Sequence, residues 1–245
     1  MADKGNPRGG GSKTFLKPSR DGLYADYGRF NGQELKDGQE LVNVKNPSTG
    51  EEFQKVREYF NGGTTKSLIT NLELKEGKYG DFLEIEFASG DVVQIPQMSG
   101  EIRYNKHYEL TLLPLPNVDF AVEYSYNAFA YEDGSYTNGK GETKPNYTYK
   151  VYFNHGEKDA RGKYSESVGW KHIFGQDVPP SRVTRKRGKD VRDYDEQQEF
   201  LHNSLLKQIE RFKKFKADNP TTAAEQPVSQ GTEEGSDEPV DDLPF

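Results

Sequence analysis

Cysteine is absent from this sequence, and histidine is scarce. Without cysteine the chain has no disulfide framework, no zinc knuckle and no thiol nucleophile. The histidines number four, and no two of them lie three or four positions apart, so the spacing of a helical metal-ligand pair is missing. We therefore expect neither a metal nor a cofactor, and the lack of disulfides suits a reducing compartment.

Long apolar runs are also missing. The chain opens with Met1-Ala2-Asp3-Lys4-Gly5, which lacks the apolar core of a signal peptide, and no stretch approaches the length of a membrane span. Hydrophobic residues make up only 32% of the chain, but aromatic residues make up 12%, which is ample for the core of one principal domain. These features predict a soluble protein of the cytoplasm with no membrane partner.

Charge is unevenly distributed along the chain. The formal net charge is −7, but the residues from Ala217 onward contain eight acids and no lysine or arginine. The remainder is therefore close to neutral, and any affinity for phosphates must come from local clusters. The densest cluster places six cations within eleven positions, namely Arg182, Arg185, Lys186, Arg187, Lys189 and Arg192.

One glycine-rich stretch is similar to a nucleotide-binding loop but lacks one of the residues that the motif requires. Gly134, Gly139 and Lys140 have the spacing of a Walker A loop, but Gly141 stands where a serine or threonine would hold magnesium. The stretch also links two expected strands instead of opening a helix, so the usual anion site is missing. Because no other catalytic constellation is visible, we expect a protein that is not an enzyme.

Alternation of apolar and polar residues predicts a mainly β body. Strands are expected over residues 68–74, 83–87, 92–95, 108–113, 119–131 and 147–153. The parity of the apolar residues changes inside 119–131, which predicts a β-bulge, and residues 132–145 are expected to form a long exposed loop. Short strands with no helical pattern between them favour a small closed antiparallel barrel.

The ends of the chain have a different character. Glycine and basic residues predict a flexible arm over residues 1–20. Helical periodicity predicts an amphipathic helix over residues 193–216, with an apolar stripe that either docks on the barrel or pairs with another copy in a homo-oligomer; the stripe consists of Leu201, Leu205, Ile209 and Phe212. Residues 217–245 have the composition of a disordered acidic tail.

The last five residues are Asp241, Asp242, Leu243, Pro244 and Phe245. This acidic ending resembles the C-terminal tip of bacterial and phage single-stranded DNA-binding proteins, with Leu243 in place of the commoner isoleucine. The resemblance implies an OB-fold over residues 21–180, followed by a basic segment and helix over residues 181–216. It also implies a tip that recruits replication and repair proteins.

The expected activity is binding of single-stranded DNA with little sequence preference. Aromatic rings stack on bases, and lysines and arginines pair with phosphates. The rings expected to stack are Trp170, Tyr152, Tyr27 and Phe30, and the cations expected to contact phosphates are Lys150, Lys171, Arg182, Arg185, Lys186 and Arg187. Trp170 is equally compatible with a place in the core, and the basic cluster is equally compatible with a solvated linker.

Two other functions fit parts of the sequence. An interaction module that mimics the acidic tip would compete for the same partner pockets without binding DNA, but it needs neither the basic cluster nor the aromatic strands. A carbohydrate-binding β-domain would use the many tyrosines, 15 in total, but the acidic tip argues against it.

Overall fold

The computed structural model describes residues 13–46, 49–78, 80–98, 104–186 and 189–220. The strands of the N-terminal half are β1 (Thr14–Ser19), β2 (Gly22–Arg29), β3 (Gln39–Lys45), β4 (Glu52–Phe60), β5 (Ile69–Lys75), β6 (Phe82–Phe87) and β7 (Asp91–Pro96). They are followed by helix α1 (Lys106–Leu112), a short 3-10 turn (Leu115–Asn117), β8 (Ser125–Thr137), β9 (Thr143–Lys158), β10 (Tyr164–Ser167), β11 (Arg182–Lys186), β12 (Lys189–Asp193) and helix α2 (Asp195–Asp218).

The first seven strands form one open sheet instead of the expected barrel. Its order is β3-β4-β2-β1-β7-β6-β5, and a three-stranded sheet (β10-β9-β8) and a two-stranded one (β11-β12) complete the strands of the described residues. The expectation of a small closed antiparallel OB barrel is therefore wrong. The physical reason is the pairing of β1, which runs antiparallel to β2 but parallel to β7 and so joins two antiparallel halves into one mixed sheet.

One face of the seven-stranded sheet covers the core. Leu16, Leu23 and Ala25 of the first two strands and the alternate residues of β5, β6 and β7 are buried in a single cluster that includes side chains of both helices. Helix α2 supplies Leu201, Leu205, Ile209 and Phe212, which are the residues of the predicted stripe. The predicted helix is thus confirmed, and its stripe docks on the body of its own chain.

The three-stranded sheet is attached to the larger sheet through the free edge of β8. Tyr124 exchanges backbone hydrogen bonds with Ser67, and the Ala130 amide donates to the Arg20 carbonyl of the β1–β2 turn at 2.7 Å. The Tyr126 amide donates to the Thr64 hydroxyl at 2.8 Å. The outer surfaces of the two sheets therefore meet at the β1–β2 turn.

Three local predictions in this region are wrong. Residues 108–113 lie mostly in helix α1 instead of a strand. The register of β8 against β9 is regular from Ser125 to Glu132, so the parity change is not a bulge, and the irregularity lies between Glu132 and Ser135. The expected long loop over residues 132–145 is mostly strand, because the β8–β9 ladder continues to the pair Thr137 and Thr143.

The start of the chain also differs from expectation. The end of the predicted flexible arm, Thr14–Ser19, is strand β1 near the middle of the seven-stranded sheet, and residues 1–12 lie outside the described residues. The acidic tail from residue 221 lies outside them as well. Among the described residues, no helix is long and apolar enough to span a membrane.

Candidate nucleic-acid interface

The solvent side of β1, β2 and β4 combines aromatic rings with cations. Leu16, Leu23 and Ala25 face the core, so their neighbours along each strand point outward because side chains alternate across a sheet. We call this surface the outward face; its residues are Phe15, Lys17, Tyr24, Phe53, Lys55, Arg57 and Tyr59. The pairs Lys17 with Tyr24 and Tyr24 with Tyr59 lie directly opposite each other in the ladder.

Arg57 is held flat at the middle of the outward face. Its Nε donates to Asp26 Oδ1 at 2.7 Å and its Nη2 donates to Asp26 Oδ2 at 3.1 Å. The guanidinium lies 4.0 Å from the centroid of the Tyr24 ring, and the Tyr24 and Tyr59 ring centroids are 6.3 Å apart. A guanidinium fixed in this way offers a flat cationic surface, of the kind on which unpaired bases stack.

The other cations surround Arg57. Burial lowers the pKa of Lys17, Asp26 raises it, and the nearby charges of Lys55 and Arg57 lower it further. Arg29 and Lys55 both approach the Phe53 ring, with their charged groups 4.7 Å and 5.7 Å from its centroid. Asp26 pairs with Arg57 and Glu51 pairs with Arg29, and a phosphate placed between the cations would relieve the repulsion that remains among them.

The same side of the sheet is acidic at β5 and β6. Glu73 and Glu84 lie opposite each other in the ladder, and Glu86 is the next outward residue of β6. Lys75 pairs with Glu84 at 2.5 Å, and Lys13 pairs with Glu86 at 2.9 Å. The carboxylates of β5 and β6 are therefore largely paired with lysines, whereas the cations of the outward face lie on β1, β2 and β4.

A second aromatic surface lies on the outer side of β8 and β9. Tyr126 and Phe153 are buried on the core side, so the alternate pairs Asn127 with Tyr152 and Phe129 with Lys150 point outward. The Phe129 and Tyr152 ring centroids are 6.1 Å apart, and Tyr131, one pair further along, is 46% exposed. The structure thus places the predicted Tyr152 and Lys150 on one face, together with two rings that were not predicted.

A cleft of about 310 Å³ joins this surface to the larger sheet. It is lined by the β1–β2 turn, by Asn61 after β4, and by Asn127 and Phe129 of β8. Arg20 of the turn also lies on its wall. The outward face and the surface carrying Tyr152 are therefore neighbours across this cleft.

Tyr27 and Phe30 lie away from these surfaces. The Tyr27 hydroxyl donates to Glu58 at 2.8 Å, and Glu58 is the ladder partner of Ala25, whose side chain is in the core. Tyr27 therefore faces the opposite side of the sheet from Tyr24. Phe30 is half-buried just beyond β2, where its amide donates to the Gln54 carbonyl at 2.7 Å.

Trp170 is on the surface, not in the core, with 46% of its area exposed. It lies in the segment after β10, where the neighbouring Lys171 amide donates to the Leu113 carbonyl at 3.0 Å and Asn117 donates to the Gly169 carbonyl at 3.0 Å. Lys171 is exposed beside it. These contacts place both residues at the end of α1, apart from Tyr152 and Lys150.

The basic cluster forms the β11–β12 hairpin instead of a linker. Arg182 pairs with Glu196 of α2, and Arg185 lies opposite Asp190. Lys186 ends β11, and Arg187 lies outside the described residues. The hairpin is continuous with the start of α2, where the Gln198 carbonyl accepts a hydrogen bond, 3.3 Å long, from the hydroxyl of Tyr104, two residues before α1.

Several cations and rings of the interface were not predicted, although one signal for them was present. In β4, Phe53, Lys55, Arg57 and Tyr59 share one parity, which is the pattern of a strand whose outer face is aromatic and cationic. Lys17 and Arg20 were assigned to a flexible arm. The tip residues Asp241, Asp242, Leu243, Pro244 and Phe245 lie outside the described residues.

Within the described part of the chain, no group of three or more histidine, aspartate or glutamate side chains could hold a metal ion. Comparisons of the chain with protein-family models, with curated proteins and with solved structures find no match.

Proposed function

We propose that this protein binds single-stranded DNA with little sequence preference during replication, repair or recombination. It would act in the cytoplasm of a bacterial cell or of a phage-infected host. The observation that carries the proposal is the outward face, on which Lys17, Lys55 and Arg57 alternate with aromatic rings. Binding without sequence preference needs this combination, because every base has a π-face and every nucleotide has a phosphate.

Single strands fit this surface better than duplex does. The rings lie on a sheet, where they reach bases only if those bases are unpaired and turned toward the protein. Each base stacked on a ring contributes on the order of 1 to 3 kcal/mol. Duplex DNA presents only its phosphates to such a surface and loses that contribution.

The second part of the proposal concerns the acidic tip. It rests on the sequence Asp241-Asp242-Leu243-Pro244-Phe245, in which a terminal ring and carboxylate would enter a partner's pocket with a basic rim. We expect Phe245→Ala to abolish capture of replication and repair proteins on immobilised protein while DNA affinity stays unchanged. A simultaneous loss of DNA binding would show that the tip has a structural role and would contradict recruitment.

The DNA-binding part is tested by a matched pair of charge reversals. Lys55→Glu changes the outward face, and Lys45→Glu makes the same change of charge on an exposed residue opposite Glu52, on the other side of the sheet. Affinity for oligo-dT and for duplex of equal length is measured by anisotropy at several salt concentrations. We expect Lys55→Glu to weaken dT binding and to reduce the salt slope by about 0.7, and Lys45→Glu to change neither by much.

Equal effects of the two reversals would contradict the placement of DNA on the outward face. Absence of dT binding by the wild-type protein, even after removal of residues 217–245, would contradict DNA binding altogether. The remaining function would then be that of an interaction module that presents a tip without binding DNA.

A further inference from the structure

A second cavity, of about 290 Å³, lies on the other side of the β1–β2 turn from the cleft described above. Its wall is formed by Ser19 and Arg20 of the turn, by Tyr104, Lys106 and His107 at the start of α1, and by Tyr149 of β9. Ser19 and Arg20 lie two and three positions after Lys17 of the outward face. A strand that leaves that face around the turn therefore arrives at this cavity.

His107 is the unusual residue of the cavity. It is only 3% exposed, and its Nε2 has no hydrogen-bond partner among the described residues. The ring contacts Tyr149 edge-on, with centroids 5.0 Å apart. A buried polar atom without a partner is costly, and a hydrogen-bonding group supplied from outside the chain would remove that cost.

The rest of the wall suits one nucleotide. Tyr104 and Tyr149 give aromatic surface, and the Arg20 guanidinium lies 4.9 Å from the centroid of the Tyr147 ring and donates to its hydroxyl at 3.1 Å. Lys106 is a second cation on the wall. The volume is close to the lower limit for small-molecule sites, which suits a single base with its sugar.

We propose that one base of the bound single strand leaves the outward face and enters this cavity, where its polar edge meets the His107 ring and its phosphate meets Arg20. This inference rests on the proposed DNA binding and adds a base-reading position to it. Burial lowers the pKa of His107 to about 4, so the ring is neutral at pH 7 and forms a hydrogen bond with the base instead of an ion pair with a phosphate.

The test uses His107→Leu, which removes the ring nitrogens and leaves a side chain of similar size. Affinities are measured for oligo-dT and for an abasic strand of the same length, which keeps the phosphates and lacks the bases. We expect the variant to lose about three- to tenfold in dT affinity, the value of one hydrogen bond, and nothing on the abasic strand. Arg20→Ala should weaken both strands, whereas Lys213→Ala on the exposed side of α2 should weaken neither.

Three results would overturn the inference. An unchanged dT affinity in His107→Leu would show that no base reaches the ring, and an equal loss on both strands would show that the substitution acts through the fold. Thermal unfolding of the variant detects an effect through the fold, because such an effect would lower the Tm, whereas removal of an unsatisfied nitrogen alone should not. If thymidine monophosphate binds the wild-type protein as tightly as the strand does, the cavity is a mononucleotide site. Failure of the wild-type protein to bind dT would instead contradict the proposed function.

Discussion

Acid should destabilise this protein through His107. The side chain is 3% exposed, and desolvation lowers its pKa from the ordinary 6.5 to about 4. In the unfolded chain the same imidazole is solvated and takes up a proton near pH 6.5. Between these two pH values the unfolded state binds more protons than the folded state, so the free energy of unfolding must fall as the pH is lowered.

The size of the effect follows from the difference between the two pKa values. One pKa unit corresponds to about 1.4 kcal/mol, so the stability lost between pH 6.5 and pH 4 is about 3 kcal/mol. Above pH 6.5 the imidazole is neutral in both states and adds no pH dependence. A loss of this size is a large part of the total stability of an ordinary domain, which is about 5–15 kcal/mol.

The measurement compares wild-type protein with His107→Leu by urea unfolding from pH 7.5 to pH 4. Carboxylates titrate in the same range, but they are common to both proteins and cancel in the difference between the two unfolding free energies. We expect that difference to shift by about 3 kcal/mol in favour of the variant as the pH falls. Proton NMR gives an independent check, because the imidazole resonance absent from the variant should titrate near pH 4.

A shift of less than about 1 kcal/mol, which is below one pKa unit, would refute the reasoning. It would mean that the His107 ring is hydrated or hydrogen-bonded in solution, and the argument for a vacant hydrogen-bonding position in the cavity would fail with it.

Two further predictions concern the packing of Gly63 against β8 and the acidic tail. Gly63→Ala should destabilise the fold by about 1–3 kcal/mol in urea unfolding, because Gly63 has φ +81° and an added Cβ would lie 2.5 Å from the Tyr126 carbonyl oxygen. Gly32→Ala is the control, because Gly32 has φ +89° and open space around it, so the substitution costs only the backbone strain of a positive φ. If both variants lose the same free energy of unfolding, the contact with Tyr126 contributes nothing. Deletion of residues 217–245 should tighten dT binding at low salt, and unchanged affinity would contradict competition between tail and DNA.

The elements that could be predicted from the sequence are those with one apolar side and one polar side. The alternation in β5 and β6 and the period of α2 each follow from an apolar side and a polar side. The sequence predicted a strand over residues 108–113 because apolar and polar residues alternate from Tyr108 to Leu112, which is the period of a half-buried strand. In helix α1 the intervening polar residues Glu109 and Thr111 are buried as well, so the alternation does not mark a solvent face.

The outward face was missed for the opposite reason. In β2 and β4 the solvent side carries Tyr24, Tyr59 and Phe53, so aromatic residues occupy both parities and the contrast that marks a half-buried strand is weak. From this region the sequence predicted only Tyr27 and Phe30, and the other predicted residues lie in β9, around Trp170 and in the dense basic cluster. Tyr152 and Lys150 were predicted on one face because β9 retains a clear alternation.

The sheet order was beyond prediction because the decisive contact is distant in sequence. β1 and β7 pair in parallel, with Phe15 opposite Val92, and no turn fixes this register. Without that pairing, successive hairpins are compatible with either a closed barrel or an open sheet. The lack of a helical pattern between the expected strands favoured the barrel, and the resemblance of the tip favoured the OB-fold among small barrels, although a C-terminal tip places no constraint on the body that carries it.

The position of α2 connects the tail to the outward face. Its last turn lies at the edge strand β5, where Lys216 donates to the Thr70 carbonyl at 3.1 Å. Five strand spacings separate β5 from β4, which carries Arg57, or roughly 24 Å at about 4.8 Å each. The sequence predicts a disordered tail, and a disordered chain of that length would span roughly 25 to 30 Å, so we expect its carboxylates to reach the cations of the outward face. Salt screens this contact over the Debye length, whereas bases stacked on the rings do not depend on charge. Competition between tail and DNA should therefore be strongest at low salt, and DNA that covers the outward face would release the tip toward its partners.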